Sequence, residues 1–477
     1  MELKSKAITG VKWVTVATVV NTVLQLLLIM ILARYVSKKD FGLMALVQVV
    51  IEFSNYFIDM GFSNIIIHRQ NITANQLSSL YWLNIMAGII IFVIIYFVSP
   101  LLSVFYNEPG LAPLLNIVAL TFLIIPFGQQ HKTIMQKELK FDTMSKIDVV
   151  SRVISIGLAI TAGIMGYGIY ALVLQVLANS IISTGLFLYA GLKNHRPRFV
   201  FSHKELKGMY SFGAYQLGER TLNYFSGQFD TIIIGKVLGA APLGVYTIAK
   251  NLVMRPQQII NPIVTRVAFP ALAKVQEDTE LLKRAYINTM NYLSSINFPV
   301  HLGMLILAEP LTLLLFGPKW EQAIVLIRIL SVFAMIRSIY SAVGPLILAK
   351  GRADLGFFWN VFFSLITIPT IFIGGLLGLT GVCYAQAALM VMIFYPFYRI
   401  LIKKLIGAGF WEYHRSLVLP FTLSLAACLV PFLAQLLIAG LILKIAAVLI
   451  TGITIYFLLS VKFNKEFINL MKNFVRI

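Results

Sequence analysis

Apolar segments long enough to cross a lipid bilayer recur from one end of this 477-residue chain to the other. A helix needs about 20 apolar residues to cross a hydrocarbon core of about 30 Å. Only 12% of the residues are charged, against about 25% in an average soluble domain. The sequence therefore predicts an all-α, multi-pass membrane protein with no large water-soluble domain.

Polar residues and turns divide the chain into fourteen predicted transmembrane spans, with twelve as the alternative because only Gly440 and Lys444 separate the last pair. The N-terminal apolar run is too long for a signal peptide and is expected to be the first span. The spans lie near residues 11-33, 41-61, 77-98, 111-127, 147-165, 168-190, 208-235, 243-268, 286-308, 322-348, 355-376, 381-402, 416-438 and 441-461.

The basic residues behind the formal charge of +20 are distributed as membrane topology predicts, and they do not form the single basic patch of a nucleic-acid-binding surface. Lys and Arg concentrate in the short segments that share a side with the N-terminus, including the linker at residues 193-207. Because cytoplasmic loops hold the excess of basic residues, both termini are predicted to be cytoplasmic. A bacterial inner membrane is the expected location, and no nucleic acid is expected as a partner.

An internal repeat predicts two pseudo-symmetric six-helix lobes around a central cavity. A shift of 202 positions superposes Asn21 on Asn223, Arg34 on Lys236 and Gly42 on Gly244. Six spans separate the copies, so they enter the membrane with the same orientation and are related by an axis along its normal. The predicted lobes are residues 1-206 and 207-402, and residues 403-477 form two additional helices and a cytoplasmic tail.

Polar stripes run along several of the apolar spans. Steps of four, three and four residues place such side chains on one face of a helix. In the second and seventh spans the stripes are Gln48, Glu52, Asn55 and Asp59, and Glu219, Asn223, Ser226 and Asp230. The repeat-related spans carry Lys250, Gln257 and Asn261, and Thr18, Asn21 and Gln25.

Ionisable side chains in a span cost about 2.5 to 3.5 kcal/mol each and usually face a protein interior or a water-filled cavity. The stripes are therefore expected to line the path of a substrate. The alternative is that they only hydrogen-bond neighbouring helices together. Intramembrane cations outnumber the acids well inside the spans; they are Arg152, Arg220, Lys250, Arg255, Arg266, Arg328 and Arg337.

Motifs for enzymatic chemistry are missing from the sequence. There is no Walker A sequence, no GxGxxG after a strand and no HExxH, and the six histidines lack metal-ligand spacing. We therefore expect no catalytic residue, no bound metal, no cofactor and no enzymatic activity.

Two stretches resemble a known family of transporters. They are DTIIIGKVLGAAPLG from Asp230 to Gly244, which continues to Asp278, and KELKFDTMSKIDVVSRVIS from Lys137 to Ser155, followed by GYGIYALVLQ from Gly166 to Gln175. The chain resembles polysaccharide-export flippases of the Wzx type, in the multidrug/oligosaccharidyl-lipid/polysaccharide exporter superfamily. It is most similar to the colanic and teichuronic acid exporter branch.

The resemblance implies a flippase that moves an undecaprenyl-diphosphate-linked oligosaccharide by alternating access. H⁺ or Na⁺ is the implied coupling ion, membrane lipids surround the protein, and a polysaccharide polymerase and a chain-length regulator are candidate partners. It assigns binding of an anionic cargo to Lys250, Arg255, Arg220, Arg152, Arg328, Arg337, Asn21 and Asn223. Ion coupling falls to Glu219 or Asp230, with Glu52 and Asp59 as further candidates.

Two other functions remain as alternatives at this point. A multidrug or metabolite antiporter of the same superfamily would share the two-lobe design, but a site for organic cations should expose uncompensated carboxylates. A membrane-embedded glycan polymerase or ligase should carry a long outer loop with catalytic Arg or His residues, and the sequence shows none.

Overall fold

A computed structural model describes residues 2–59, 63, 66, 67, 72–193, 195–201 and 209–475. Side chains are described for all of these except residues 2–8, 11, 59, 209–220, 222, 223, 436, 470 and 473–475. Over these ranges the regular secondary structure is helical, without a strand. The predicted all-α fold class is confirmed.

Eighteen labelled helices follow one another along the described chain. They are α1 Glu2–Tyr35, α2 Lys38–Asp59, α3 Ala74–Tyr106, α4 Leu111–Ala119, α5 Thr121–Lys137, α6 Phe141–Ile164, α7 Ile169–Leu192, α8 Met209–Val237, α9 Ala240–Lys274, α10 Thr279–Ile306, α11 Ala308–Leu315, α12 Gln322–Tyr340, α13 Val343–Ala349, α14 Ala353–Leu376, α15 Gly378–Met392, α16 Phe410–Leu437, α17 Leu441–Phe463 and α18 Lys465–Val475. Shorter helical turns lie at Pro318–Trp320 and between Phe394 and Ile406. Every predicted span overlaps one of these helices.

Eleven stretches of helix in the described chain are long and apolar enough to cross a membrane, and α10 with α11 forms one further pair bent by 71°. The predicted count of fourteen is not confirmed by this measure. The two predicted spans left out are α8 and α9, which are 29 and 35 residues long. Length does not exclude them at 1.5 Å per residue. The polar stripe of α9 and its prolines at 256, 262 and 270 make it less apolar than those eleven stretches. For α8 the comparison does not extend over the whole helix, because the side chains of residues 209–220, 222 and 223 lie outside the described ones.

The predicted start of α10 is wrong by seven residues, because its first turns are polar. Asp278 caps this helix, and its Oδ1 accepts a hydrogen bond from the backbone N–H of Leu281 at 3.0 Å. Lys283 Nζ then pairs with Glu280 at 2.9 Å and with Glu412 of α16 at 3.1 Å. A hydropathy pattern detects only the apolar part of such a helix.

Two compact units divide the chain, Met1–Gly244 and Val245–Ile477. In the first, α6 packs against α1 and α7, and α2 packs against α8. In the second, α10 packs against α12 and α16 around buried residues that include Tyr286, Met290 and Phe397. The lobe limits drawn from the repeat stay a prediction.

Large apolar side chains are exposed along many of the helices. Examples are Phe97 (70% exposed), Leu101 and Val104 of α3 and Leu429 and Ile453 of α16 and α17. A soluble protein rarely exposes contiguous apolar surface on this scale. These faces are suited to contact with lipid.

Glycines at repeat-related positions bring the first turns of α2 and α9 into contact within the first unit. A Cβ atom added to Gly42 would overlap the backbone carbonyl of Ala240, and one added to Gly244 would overlap that of Lys38. Lys38 and Ala240 are themselves 202 positions apart, so the contact is reciprocal. Gly239, at φ +84°, makes the turn that leads into it.

We expect Gly42→Ala to destabilise the protein, although alanine normally favours a helix by about 1 kcal/mol over glycine. The added methyl group must separate two backbones that now touch. Thermal unfolding of the purified protein in detergent should show a lower midpoint for Gly42→Ala and for Gly244→Ala. Gly157→Ala is the matched control, because nothing lies within 4 Å of a Cβ at this helical position. Equal midpoints for Gly42→Ala and Gly157→Ala would contradict the packing described.

Candidate functional site

Glu52 lies at the centre of a polar cluster between α2 and α8 in the first unit. Its Oε1 accepts a hydrogen bond from Gln48 Nε2 at 2.9 Å, and its Oε2 lies 3.5 Å from Gln228 Nε2. The hydroxyl of Tyr224 donates to the backbone carbonyl of Val49 at 2.8 Å. Gln48 is exposed and Glu52 is half-buried. A carboxylate inside a predicted span is thus held by neutral donors.

Asp230 joins this cluster through Gln228 and Thr231. Its carboxyl is buried, with 8% of the residue exposed, and Oδ1 accepts the backbone N–H of Thr231 at 2.7 Å. The Thr231 hydroxyl lies 3.3 Å from both Asp230 Oδ1 and Gln228 Oε1. The two candidate coupling acids whose side chains are described therefore belong to one hydrogen-bonded region.

A second cluster, the amide cluster, consists of Gln257, Asn261, Asn297 and Ser341 and connects α9, α10 and the end of α12. Asn297 Nδ2 donates to Asn261 Oδ1 at 3.0 Å, and Asn261 Nδ2 donates to Ser341 Oγ at 3.1 Å. Gln257 Nε2 donates to the backbone carbonyl of Ala334. Asn297 is fully buried and its Oδ1 has no hydrogen-bond partner in the described part of the chain.

The candidate cargo-binding cations each have their own neighbours. Lys250 Nζ lies 5.8 Å from the ring centroid of Tyr246, and Arg255 Nη1 lies 3.4 Å from Gln258 Oε1. On α12, Arg328 pairs with Glu309 at 3.8 Å, and Arg337 lies 5.8 Å from the ring centroid of Phe333. Both of these arginines are exposed.

Arg152 belongs to a small charged group on α5 and α6. It is half-buried and interacts electrostatically with Asp148, which pairs with Lys132 at 3.0 Å. Two cations therefore share one carboxylate, leaving this group with a net positive charge.

Four candidate residues lie outside the described side chains, namely Asp59, Glu219, Arg220 and Asn223. Asn21 is described, and its Oδ1 is buried without a hydrogen-bond partner in the described part of the chain. The assignment of the candidate residues to cargo binding or to ion coupling stays a prediction. No group of three or more His, Cys, Asp or Glu side chains that could hold a metal occurs among the described residues.

Several polar residues of these clusters were not predicted from the sequence. Gln228 and Thr231 are three residues apart, a spacing that puts them on one helical face, and this signal was available. Asn297 lies three residues after Ser294 and four before His301 on α10, a spacing that also places polar side chains on one helical face, so a signal was available for it as well. Its importance depends on which helix packs against it.

The helices and their intramembrane polar clusters define a multi-pass membrane protein with a transporter fold. The solved structure of the lipid II flippase MurJ in an inward closed conformation superposes with a TM-score of 0.75 at 16% identity, covering 95% of this chain and 99% of that one. An inward-facing multidrug resistance transporter of the MATE family and MOP superfamily gives a TM-score of 0.56 at 15% identity, covering 81% and 96%. These likenesses show the fold.

The chain belongs to the polysaccharide biosynthesis protein family, whose model matches residues 31–325. The lipopolysaccharide biosynthesis protein WzxC of Escherichia coli (strain K12) is 34% identical over 92% of this chain and 90% of that protein. The teichuronic acid biosynthesis protein TuaB of Bacillus subtilis (strain 168) is 33% identical over 90% and 89%. The predicted family is confirmed.

The amide cluster predicts that Asn261 and Asn297 contribute jointly to stability. In a double-mutant cycle with Asn261→Ala and Asn297→Ala, we expect a coupling free energy of about 0.6 kcal/mol, with about 1.7 kcal/mol as the upper end for interhelical hydrogen bonds in membranes. Reversible denaturation in mixed micelles measures it. The control pairs Asn261→Ala with Thr451→Ala, since Thr451 bonds within α17 to Ala447. Additive effects in the first cycle would contradict the hydrogen bond.

Proposed function

We propose that this protein is a flippase that moves a lipid-linked, anionic oligosaccharide across the bacterial inner membrane by alternating access, for surface or exopolysaccharide synthesis. The carrier lipid is of the undecaprenyl-diphosphate class. The observation that carries the proposal is the similarity to polysaccharide biosynthesis proteins over nine-tenths of the chain. The flippase fold of the solved relative supports it.

The charges inside the predicted spans support an anionic cargo. Arginine binds phosphate through a planar fork of donors, and a diphosphate carries the charge that such groups attract. We assign cargo binding to Lys250, Arg255, Arg152, Arg220, Arg328 and Arg337, with Asn21 and Asn223 as neutral donors. Arg328 has its own acidic neighbour, Glu309, so part of its charge is compensated by a local carboxylate.

The protein is proposed to transport its substrate without catalysing a chemical reaction. Both termini are proposed to lie in the cytoplasm. The basic loops support this orientation. A fluorescent protein fused to the C-terminus should be bright, whereas a fused periplasmic phosphatase should be inactive. The reverse pattern would overturn the orientation.

The flippase proposal is tested in cells that lack their own flippase, supplied with several donor glycans. With this protein present, surface polysaccharide should return and the inner-leaflet pool of lipid-linked precursor should fall. If the protein inserts correctly and neither quantity changes with any donor glycan, the proposal fails. Antiport of small organic cations, the function of the other superfamily branch, would then be measured in the same cells.

Ion coupling is proposed to use Glu219 or Asp230, with Glu52 and Asp59 as further acids and H⁺ or Na⁺ as the ion. We expect Glu219→Gln and Asp230→Asn to have different effects on transport. Only substitution of the residue that binds the ion should abolish transport. Glu280→Gln is the control, since its exposed carboxylate pairs with Lys283. Surface glycan and membrane insertion are measured together. If both acid variants transport at the wild-type level, neither Glu219 nor Asp230 is the coupling residue.

A further inference from the structure

Residues 195–201, which we call the docked linker, are held against α3 through their backbone. Ser78 Oγ accepts a hydrogen bond from the backbone N–H of Arg198 at 3.0 Å, and Trp82 Nε1 donates to the Arg198 carbonyl at 2.9 Å. The ring of Phe199 stacks on that of Trp82, with centroids 5.0 Å apart and planes at 29°. The docking therefore uses no charged side chain.

The side chains that the docked linker turns outward are basic and aromatic. Arg196 and Arg198 are exposed. Phe199 is 92% exposed in spite of its stack on Trp82, and Phe201 is 50% exposed. Exposed apolar side chains that are grouped in this way usually mark an interaction surface. The surface here combines two guanidinium groups with two aromatic rings.

No carboxylate compensates this charge in the described part of the chain. Residues 193–201 contain no Asp or Glu, and neither does α3, the helix that holds them. Among the described residues, Arg196 and Arg198 form no ion pair. Glu138 follows α5, which packs against α3, but it pairs with Lys140 at 2.7 Å. The docked linker therefore attracts an anionic partner.

The position of Trp82 along α3 places the docked linker at the level of the lipid headgroups. The helix has 33 residues, about 50 Å at 1.5 Å per residue, whereas a hydrocarbon core is about 30 Å thick. Polar residues recur in its first turns up to Asn84, and its long apolar run begins at Ile85. Trp82 lies just before this boundary, where an indole with an apolar ring and a polar N–H is commonly found.

Pro197 orders the docked linker before any partner binds. Its ring fixes its own φ, and it restricts Arg196 to extended conformations. On the other side of Pro197, the backbone of Arg198 is already bonded to α3. A segment that is ordered in advance loses less conformational entropy when its side chains bind.

We propose that the docked linker is a membrane-surface site for the headgroups of anionic phospholipids. Arg196 and Arg198 bind the lipid phosphates, and Phe199 and Phe201 enter the interface beside Trp82. In the orientation proposed above, the site faces the cytoplasmic leaflet, whose anionic lipids attract basic segments close to the membrane. The partner is the surrounding lipid, so the site does not rest on the proposed cargo.

A fluorescent label in the docked linker tests this contact in the full-length protein. Val200→Cys is labelled with the polarity-sensitive fluorophore NBD, in a protein with Cys383→Ala and Cys428→Ala. The protein is placed in nanodiscs of phosphatidylcholine with increasing fractions of phosphatidylglycerol. As this fraction rises, the emission should shift to the blue and quenching by acrylamide should fall, because the label enters the interface. High salt should weaken the effect, since it screens charges at a surface.

Three variants separate the parts of the site. Arg196→Gln and Arg198→Gln should each lower the apparent affinity for phosphatidylglycerol about fivefold, the effect of one basic residue close to an anionic surface. Trp82→Phe keeps every charge but removes the donor to the Arg198 carbonyl, and it should also lower the affinity. Arg284→Gln is the matched control. Arg284 is an exposed cation in the first turns of α10, on the same side of the membrane in the proposed orientation, and its substitution should leave the affinity unchanged.

Several results would overturn the proposal. Acrylamide quenching that is independent of the phosphatidylglycerol fraction excludes recognition of anionic lipid, and a label that stays exposed in every nanodisc favours an acidic partner protein instead. Equal losses in Arg196→Gln and Arg284→Gln would show a general effect of protein charge. Wild-type affinity in Trp82→Phe would show that docking on α3 plays no part. Because no glycan is present, each of these results leaves the flippase proposal untouched.

Discussion

The hydrocarbon core of a membrane offers no water, so every polar group that enters it must find its partner within the protein. This constraint explains why polar side chains of the described helices form hydrogen-bonded groups such as the two described above. Glu52 is held by Gln48 and Gln228, and Asn297 binds Asn261. Each group ties together helices that a purely apolar surface would leave free to slide, since lipid and leucine side chains are equally apolar.

The second feature on which the structure depends is the close approach of the first turns of α2 and α9. Gly42 and Gly244 each lie against a backbone carbonyl of the opposite helix, and the four residues involved form two pairs separated by 202 positions. Small residues allow such contacts in membranes, where close packing replaces the hydrophobic effect between helices. A reciprocal contact is what two copies of one ancestral segment produce when they meet around a symmetry axis. The internal repeat is thus visible both in the sequence and in one specific contact.

Much of the fold could be predicted because hydropathy reports directly on lipid contact. All fourteen predicted segments overlap helices. Where a boundary is wrong, the reason is physical: α10 begins in a capped, charged turn that hydropathy does not detect. The site was less predictable. Helical spacing placed Glu52 and Asp230 on polar faces, but it did not reveal that Gln228 and Thr231 connect them. The partner of Asn297 is Asn261 of α9, and a pattern within one helix does not show which neighbouring helix supplies the partner.

The proposed function is the movement of a lipid-linked anionic oligosaccharide from one leaflet to the other. The most direct test reconstitutes the purified protein in vesicles whose inner leaflet is loaded with an undecaprenyl-diphosphate oligosaccharide, and follows its exposure to a membrane-impermeant glycosidase outside. We expect an ion gradient to make the glycolipid accessible in vesicles that contain the protein, while the glycolipid in protein-free vesicles stays protected. If donor glycans that are cleaved readily in solution stay equally protected with and without the protein, under gradients of both H⁺ and Na⁺, the protein is not a flippase for these glycolipids.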